Sequence, residues 1–136
     1  MLRATFIHVP RIGATKERSL WRRGYLDWRD VLDGPRPGAW SPERWDDLRA
    51  HLDQSEEALA ARDALFFEKG MHAAETWRLY DQFGARAAFV DIETTGYGGM
   101  HSPITVVGAW DGEKVHQFIE WINLDAFAAF IEPFEL

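Results

Sequence analysis

The sequence predicts an α+β fold, with a helical N-terminal half of about 85 residues packed on a three-stranded, mainly antiparallel sheet and one further helix. Three observations predict it. Apolar residues recur at helical spacing through residues 41–83. A short apolar run, Ala87-Ala88-Phe89-Val90, leads into Asp91-Ile92-Glu93-Thr94-Thr95-Gly96 and reads as a mostly buried strand. Two more apolar runs, Ile104–Trp110 and Lys114–Trp121, flank Asp111-Gly112, a turn signal suited to a β-hairpin. The division falls at residues 1–84 and 85–136.

Taken in order, Thr5–Val9 is a short apolar segment stopped by Pro10. A helix follows over about 15–23, with Leu20 and Trp21 inward and Gly24 as its C-terminal cap, then a shorter one near Trp28–Leu32. Within residues 6–32, Val9-Pro10-Arg11-Ile12-Gly13 followed by Leu20 and Gly24 is similar to one helix-hairpin-helix unit, whose hairpin amides bind a DNA phosphate. That similarity makes Arg11, Ile12, Gly13 and Lys16 candidate phosphate contacts. It departs from the pattern at Arg11, where glycine is usual, and a purely structural helical corner is the competing reading. Residues 33–40, with Gly34-Pro35-Arg36-Pro37-Gly38, form a turn-rich linker.

The packing helices span 41–83. Ser41 caps and Pro42 starts the first, and Trp45, Leu48 and Leu52 mark its inner face. Asp53-Gln54-Ser55 breaks or bends it. A second run, Glu56–Glu68, places Ala58, Leu59, Leu65 and Phe66 on one stripe and stops at Gly70. A third, Ala74–Gln82, presents Trp77, Leu79, Tyr80 and Phe83 and ends at Gly84. After the strand, Tyr97–Pro103 is a loop. Beyond the hairpin, Asn123 caps a helix over Leu124–Ile131 whose Phe127, Phe130 and Ile131 face the sheet, and Pro133 ends it.

The residues with the clearest chemistry are Asp91 and Glu93. Alternation along a strand sets them on one face, roughly 6–7 Å apart. Paired carboxylates repel, and a hard cation such as Mg²⁺ or Mn²⁺ between or beside them relieves the repulsion while keeping waters that a phosphate can displace. Thr94, Thr95 and Gly96 then turn the chain where backbone can approach a ligand.

Val90-Asp91-Ile92-Glu93-Thr94-Thr95-Gly96 resembles the first motif of the DEDD (DnaQ-like) 3′–5′ exonucleases. Trp77-Arg78-Leu79, Ile104-Thr105-Val106-Val107-Gly108, Asp111-Gly112 and Asn123-Leu124 resemble the YprB-type branch of predicted bacterial exonucleases. The resemblance implies a ribonuclease H-like sheet, truncated here to its first half, and two-metal phosphodiester hydrolysis of a single-stranded 3′ end, DNA or RNA. It gives Asp91 and Glu93 the role of catalytic metal ligands and sets Thr94, Thr95 and Gly96 near the terminal nucleotide. The family's second and third motifs are missing, and its fourth strand would begin near Phe134-Glu135-Leu136. Asp125, Glu120, Glu132 and Glu135 are available acids outside any motif context. The chain alone is therefore expected to bind metal weakly and not to hydrolyse nucleic acid. A non-catalytic nucleic-acid-binding or interaction module is the alternative. The missing neighbour of the Phe89–Glu93 strand also implies an exposed edge, filled by a homodimer, a swapped assembly or the N-terminal segment.

Composition limits the other options. The 136 residues are 46% hydrophobic, enough for a real core, and carry no cysteine, so disulfides, thiol nucleophiles and cysteine zinc sites are excluded. No apolar run approaches a membrane span and no secretory leader is evident, so a cytoplasmic location is expected. The net charge of −7 opposes loose binding to a nucleic-acid backbone, but residues 1–29 carry +5 and leave −12 for the remainder. That basic segment is either a phosphate-holding arm or the solvated face of a helix. The five histidines are scattered without metal spacing, and His101 is the one nearest the carboxylates in sequence.

Overall fold

The computed structural model describes residues 1–96 and 102–135. The chain divides into two compact units, Met1–Gln82 and Phe83–Leu136. As predicted, the class is α+β: among the described residues there are six α-helices and one three-stranded antiparallel sheet.

The first unit contains α1 (Ala14–Arg22), α2 (Trp28–Asp33), α3 (Pro42–Ala60), α4 (Ala64–Gly70) and the start of α5 (Tyr80–Phe83), with 3-10 turns at Leu2–Ala4 and Ala73–Leu79. Its core gathers Phe6, Leu20, Trp28, Trp45, Leu48, Leu52, Phe67 and Leu79, all nearly inaccessible to solvent. The N-terminal segment enters this core as irregular chain, and polar side chains take up its backbone groups. Trp21 Nε1 donates to Ala4 O at 2.9 Å and Trp28 Nε1 to Thr5 O at 2.7 Å. Glu17, buried on α1, accepts from Thr5 Oγ1 at 2.7 Å and Phe6 N at 2.8 Å, and Arg78 reaches the same carboxylate at 3.3 Å. A buried carboxylate is tolerated because each of these partners replaces a lost water.

Local chemistry explains the helix ends. Asp27 and Asp30 form a reciprocal capping box at α2, and Ser41 with Pro42 starts α3 as its sequence indicates. Asp53-Gln54-Ser55 neither breaks nor ends α3: Ser55 Oγ donates to His51 O at 2.7 Å, one turn back, and the helix runs on to Ala60. The expected Glu56–Glu68 helix is instead divided at Ala61–Asp63, where Arg62 takes a left-handed φ of 56° and the Asp63 carboxylate caps α4. That restart shifts the inner stripe, so Phe67 is buried and Leu65 exposed. Over Ala74–Gln82 the chain is a 3-10 helix passing into α5 rather than one α-helix, and Trp77 and Tyr80 lie exposed. Gly34 and Gly70 mark close backbone approaches, since an added Cβ would lie 2.2 Å from Asp30 O and 2.3 Å from His8 O respectively.

The second unit holds β1 (Phe89–Thr94), β2 (Ile104–Trp110), β3 (Val115–Ile119) and α6 (Phe127–Ile131), with strand order β1-β2-β3. The hairpin turn is fixed by Asp111, whose Oδ1 accepts from Glu113 N and Lys114 N at 2.9 Å each, and by Gly112 at φ 100°. Val107, Ala109 and Phe118 form the buried face of the sheet, and Leu124, Phe127 and Phe130 pack against it. Asn123 does not cap the following helix with its side chain. Its amide bridges Ile119 N and Gln117 O instead, tying the end of β3 to the turn below it.

Candidate functional site

Asp91 and Glu93 lie in β1, opposite Gly108 and Val106 of β2. The register puts Phe89, Asp91 and Glu93 on one face with Trp110, Gly108 and Val106, and Val90 and Ile92 on the other with Ala109 and Val107. Across from Asp91, Gly108 brings no side chain, and a Cβ built there would meet nothing within 4 Å. The surface beside the carboxylate is open. Between Glu93 and Thr94 the ladder shifts, with two steps along β2 against one along β1, so Thr105 is the extra residue. Its hydroxyl donates to Glu93 O at 3.2 Å, and its carbonyl accepts from Glu120 N at 2.9 Å. The bulge thus holds the backbone of Glu93 in place while the strand bends.

The strand is not buried as its apolar sequence suggests. All six residues of β1 are exposed, Ile92 at 52%. The reason lies in the packing of α6, whose phenylalanines cover the face formed by β2 and β3 and stop short of the edge strand. β1 forms one edge of the sheet, and among the described residues no strand pairs with its outer side.

Past the strand, Thr95 N donates to Pro103 O at 3.3 Å and Gly96 adopts a φ of 73°, a left-handed turn that favours glycine. Thr94, Thr95 and Gly96 are therefore contiguous with the carboxylates in an exposed corner. His101 and the loop 97–101 fall outside the described residues.

Among the described residues no cluster of three or more histidine or acidic side chains is placed to hold a metal ion. Two other acids of this unit have structural work. Asp111 fixes the hairpin: first the Lys114 N–H, then the His116 ring and the Glu113 N–H, hold its carboxyl well below the usual carboxylate range. Glu135 pairs with Arg86 at 3.1 Å, and its backbone N–H donates to Arg86 O at 2.6 Å.

The phosphate candidates of the N-terminal unit sit around one turn. Arg11 has a left-handed φ of 66°, Ile12 is buried, Gly13 is the N-cap residue of α1, and Lys16 Nζ donates to Arg11 O at 2.7 Å. A 3-10 turn, rather than an α-helix, precedes this corner. Sequence reasoning missed that Trp40 and Arg44 join Arg11 and Lys16 in lining a single cavity. The linker that carries Trp40 is held in place: Arg49 donates to Val31 O at 3.0 Å and Gly34 O at 2.7 Å, and Arg36 donates to Trp40 O.

Compared with protein-family models, curated proteins and solved structures, the chain matches none of them. No helix among the described residues is long and apolar enough to cross a membrane.

Proposed function

We propose that this chain carries the metal-binding strand of a ribonuclease H-like 3′–5′ exonuclease acting on nucleic acid in the cytoplasm, and that by itself it binds a divalent cation without hydrolysing its substrate. The observation that carries the reading is the placement of Asp91 and Glu93 on one exposed face of β1, beside the space left by Gly108. This donor set fits Mg²⁺ or Mn²⁺, because both ligands are hard carboxylate oxygens and solvent can fill the remaining positions. When bound, such an ion polarises a phosphoryl oxygen and lowers the pKa of a coordinated water.

The chain's own residues anchor and orient. Asp91 and Glu93 supply the negative charge, and the Thr105 bulge fixes the carbonyl of Glu93. Gly96 turns the backbone without a side chain, which lets a terminal nucleotide approach Thr94 and Thr95 closely. Two carboxylates do not make a two-metal centre, and general-base catalysis worth roughly 10²–10⁴-fold requires a further positioned group.

A non-catalytic nucleic-acid-binding module is the second reading, favoured by the lack of a third ligand near these two among the described residues. Manganese binding followed by electron paramagnetic resonance, beside Asp91→Ala and Glu93→Ala, tests the site. Loss of binding in both variants is expected, and no binding by the unaltered chain refutes the metal site. Labelled single-stranded DNA and RNA with Mn²⁺ test the chemistry. Shortening from the 3′ end that Asp91→Ala abolishes would show that the chain is already a complete nuclease.

A further inference from the structure

We propose that the N-terminal unit binds a phosphorylated nucleotide in the cavity between the Arg11 turn and the start of α3. The cavity, of about 320 Å³, falls within the roughly 300–1,000 Å³ typical of small-molecule sites. Three cations line it: Arg11, Lys16 and Arg44, against the single acid Asp47. Positive charge concentrated in this way stands out in a chain of net charge −7. Neither Arg11 nor Arg44 has a carboxylate partner among the described residues, whereas Arg3 and Arg78 of the same unit are paired with Glu56 and Glu17. Free guanidinium groups at a concave surface suit a phosphate, which they bind through charge-assisted, often bidentate hydrogen bonds.

The rest of the lining suits a flat ring. Trp40 forms one wall and also lines an adjoining hollow with Lys16 and Arg44. Its position is set by the Trp40 N–H bond to Pro37 O at 3.0 Å and by edge-to-face packing on Trp45 at 5.6 Å. Stacking of a base on such an indole is indifferent to sequence, because every base has a π-face. Val9 and Leu48 supply apolar surface beneath, and Asp47 suits a ribose hydroxyl or an exocyclic amine. Inorganic phosphate alone would leave this apolar part of the lining unused.

Arg11 adds an independent argument. Its left-handed backbone is one that glycine adopts freely and a bulky side chain does not. Arginine is nevertheless the residue there, and it lines the cavity, so Arg11→Gly separates ligand binding from folding: it relaxes the backbone while removing a cation.

Isothermal titration of the full chain with AMP, adenosine, inorganic phosphate and a 5′-phosphorylated dinucleotide tests the site. AMP is expected to bind more tightly than either adenosine or phosphate. Arg11→Gly, with a melting temperature unchanged or raised, and Arg44→Gln should each weaken AMP roughly tenfold or more. Trp40→Leu should weaken AMP and leave phosphate unaffected. Equal affinity for AMP and the dinucleotide identifies a free mononucleotide as the ligand, and tighter binding of the dinucleotide identifies a strand end. Asp91→Ala must leave every value unchanged, which keeps this site separate from the proposed metal strand. Absence of heat with both AMP and the dinucleotide at about 1 mM, or AMP affinity unaltered in Arg11→Gly and Arg44→Gln, overturns the proposal.

Discussion

Acidifying the solution from pH 7.5 to pH 5 should cost the N-terminal unit about 2 kcal/mol through one side chain, His8. The ring is 1% exposed and packed among Trp28, His51 and Phe67. Ser55 Oγ lies 2.9 Å from its Nε2 and also 2.7 Å from His51 O. A hydroxyl has one hydrogen, and the carbonyl can only accept it, so the His8 Nε2–H donates to Ser55. Nδ1 is left as a bare acceptor, buried and without a partner among the described residues. Burial first, and then the neighbouring His51, depress the pKa from its ordinary 6.5 to about 3. Above pH 6.5 neither the folded nor the unfolded chain holds the proton, and nothing is lost. Below it the unfolded chain takes up a proton that the folded one refuses, so stability falls by about 1.4 kcal/mol per pH unit until pH approaches 3. Urea denaturation at the two pH values, followed by circular dichroism, measures the loss. His8→Phe keeps a flat ring in an aromatic site and leaves Ser55 still bonded to His51 O. Its pH-dependent loss should be smaller by about 2 kcal/mol. Carboxylates titrate mainly below this window, so they do not mask the comparison. An equal loss in His8→Phe would refute the assigned protonation.

Other tests read different parts of the molecule. Glu17→Ala should destabilise the unit by about 3–5 kcal/mol in urea titration, because Thr5, Phe6 N and Arg78 all lose their shared acceptor. Gly34→Ala should cost about 1–3 kcal/mol by the same assay, since its new methyl meets Asp30 O at 2.2 Å. The exposed outer edge of β1 should let chains associate as concentration rises, and Ile92→Lys should abolish the rise in light-scattering mass. A mass equal to the monomer at every concentration would refute that association.

Signals close together in sequence were legible and those built from distant residues were not. Ser41-Pro42, Asp111-Gly112 and the glycine after α1 each announce a boundary through chemistry contained in a few residues. Asp91 and Glu93 could be placed on one face because strand periodicity alone determines it. Exposure of β1 was not legible, since an apolar run looks the same whether or not a helix covers it. The break at Arg62 is equally silent, because nothing in an arginine announces a left-handed φ. Trp40 and Arg44 could not be joined to Arg11 and Lys16 by spacing, for the cavity is assembled across the intervening chain of residues 17–39.

The pairing of Arg78 with Glu17 across 61 positions bears on how this protein is made. At about 5–20 residues per second, a ribosome needs roughly 3–12 s to proceed from one partner to the other. During that interval Thr5 and Phe6 can already reach the carboxylate of α1, but its cation has not been synthesised. The N-terminal unit cannot complete its interior until nearly all of its residues have emerged. The packing around Trp28 and Phe6 therefore stays incomplete for seconds during synthesis, a delay that codon choice between residues 17 and 78 would lengthen or shorten.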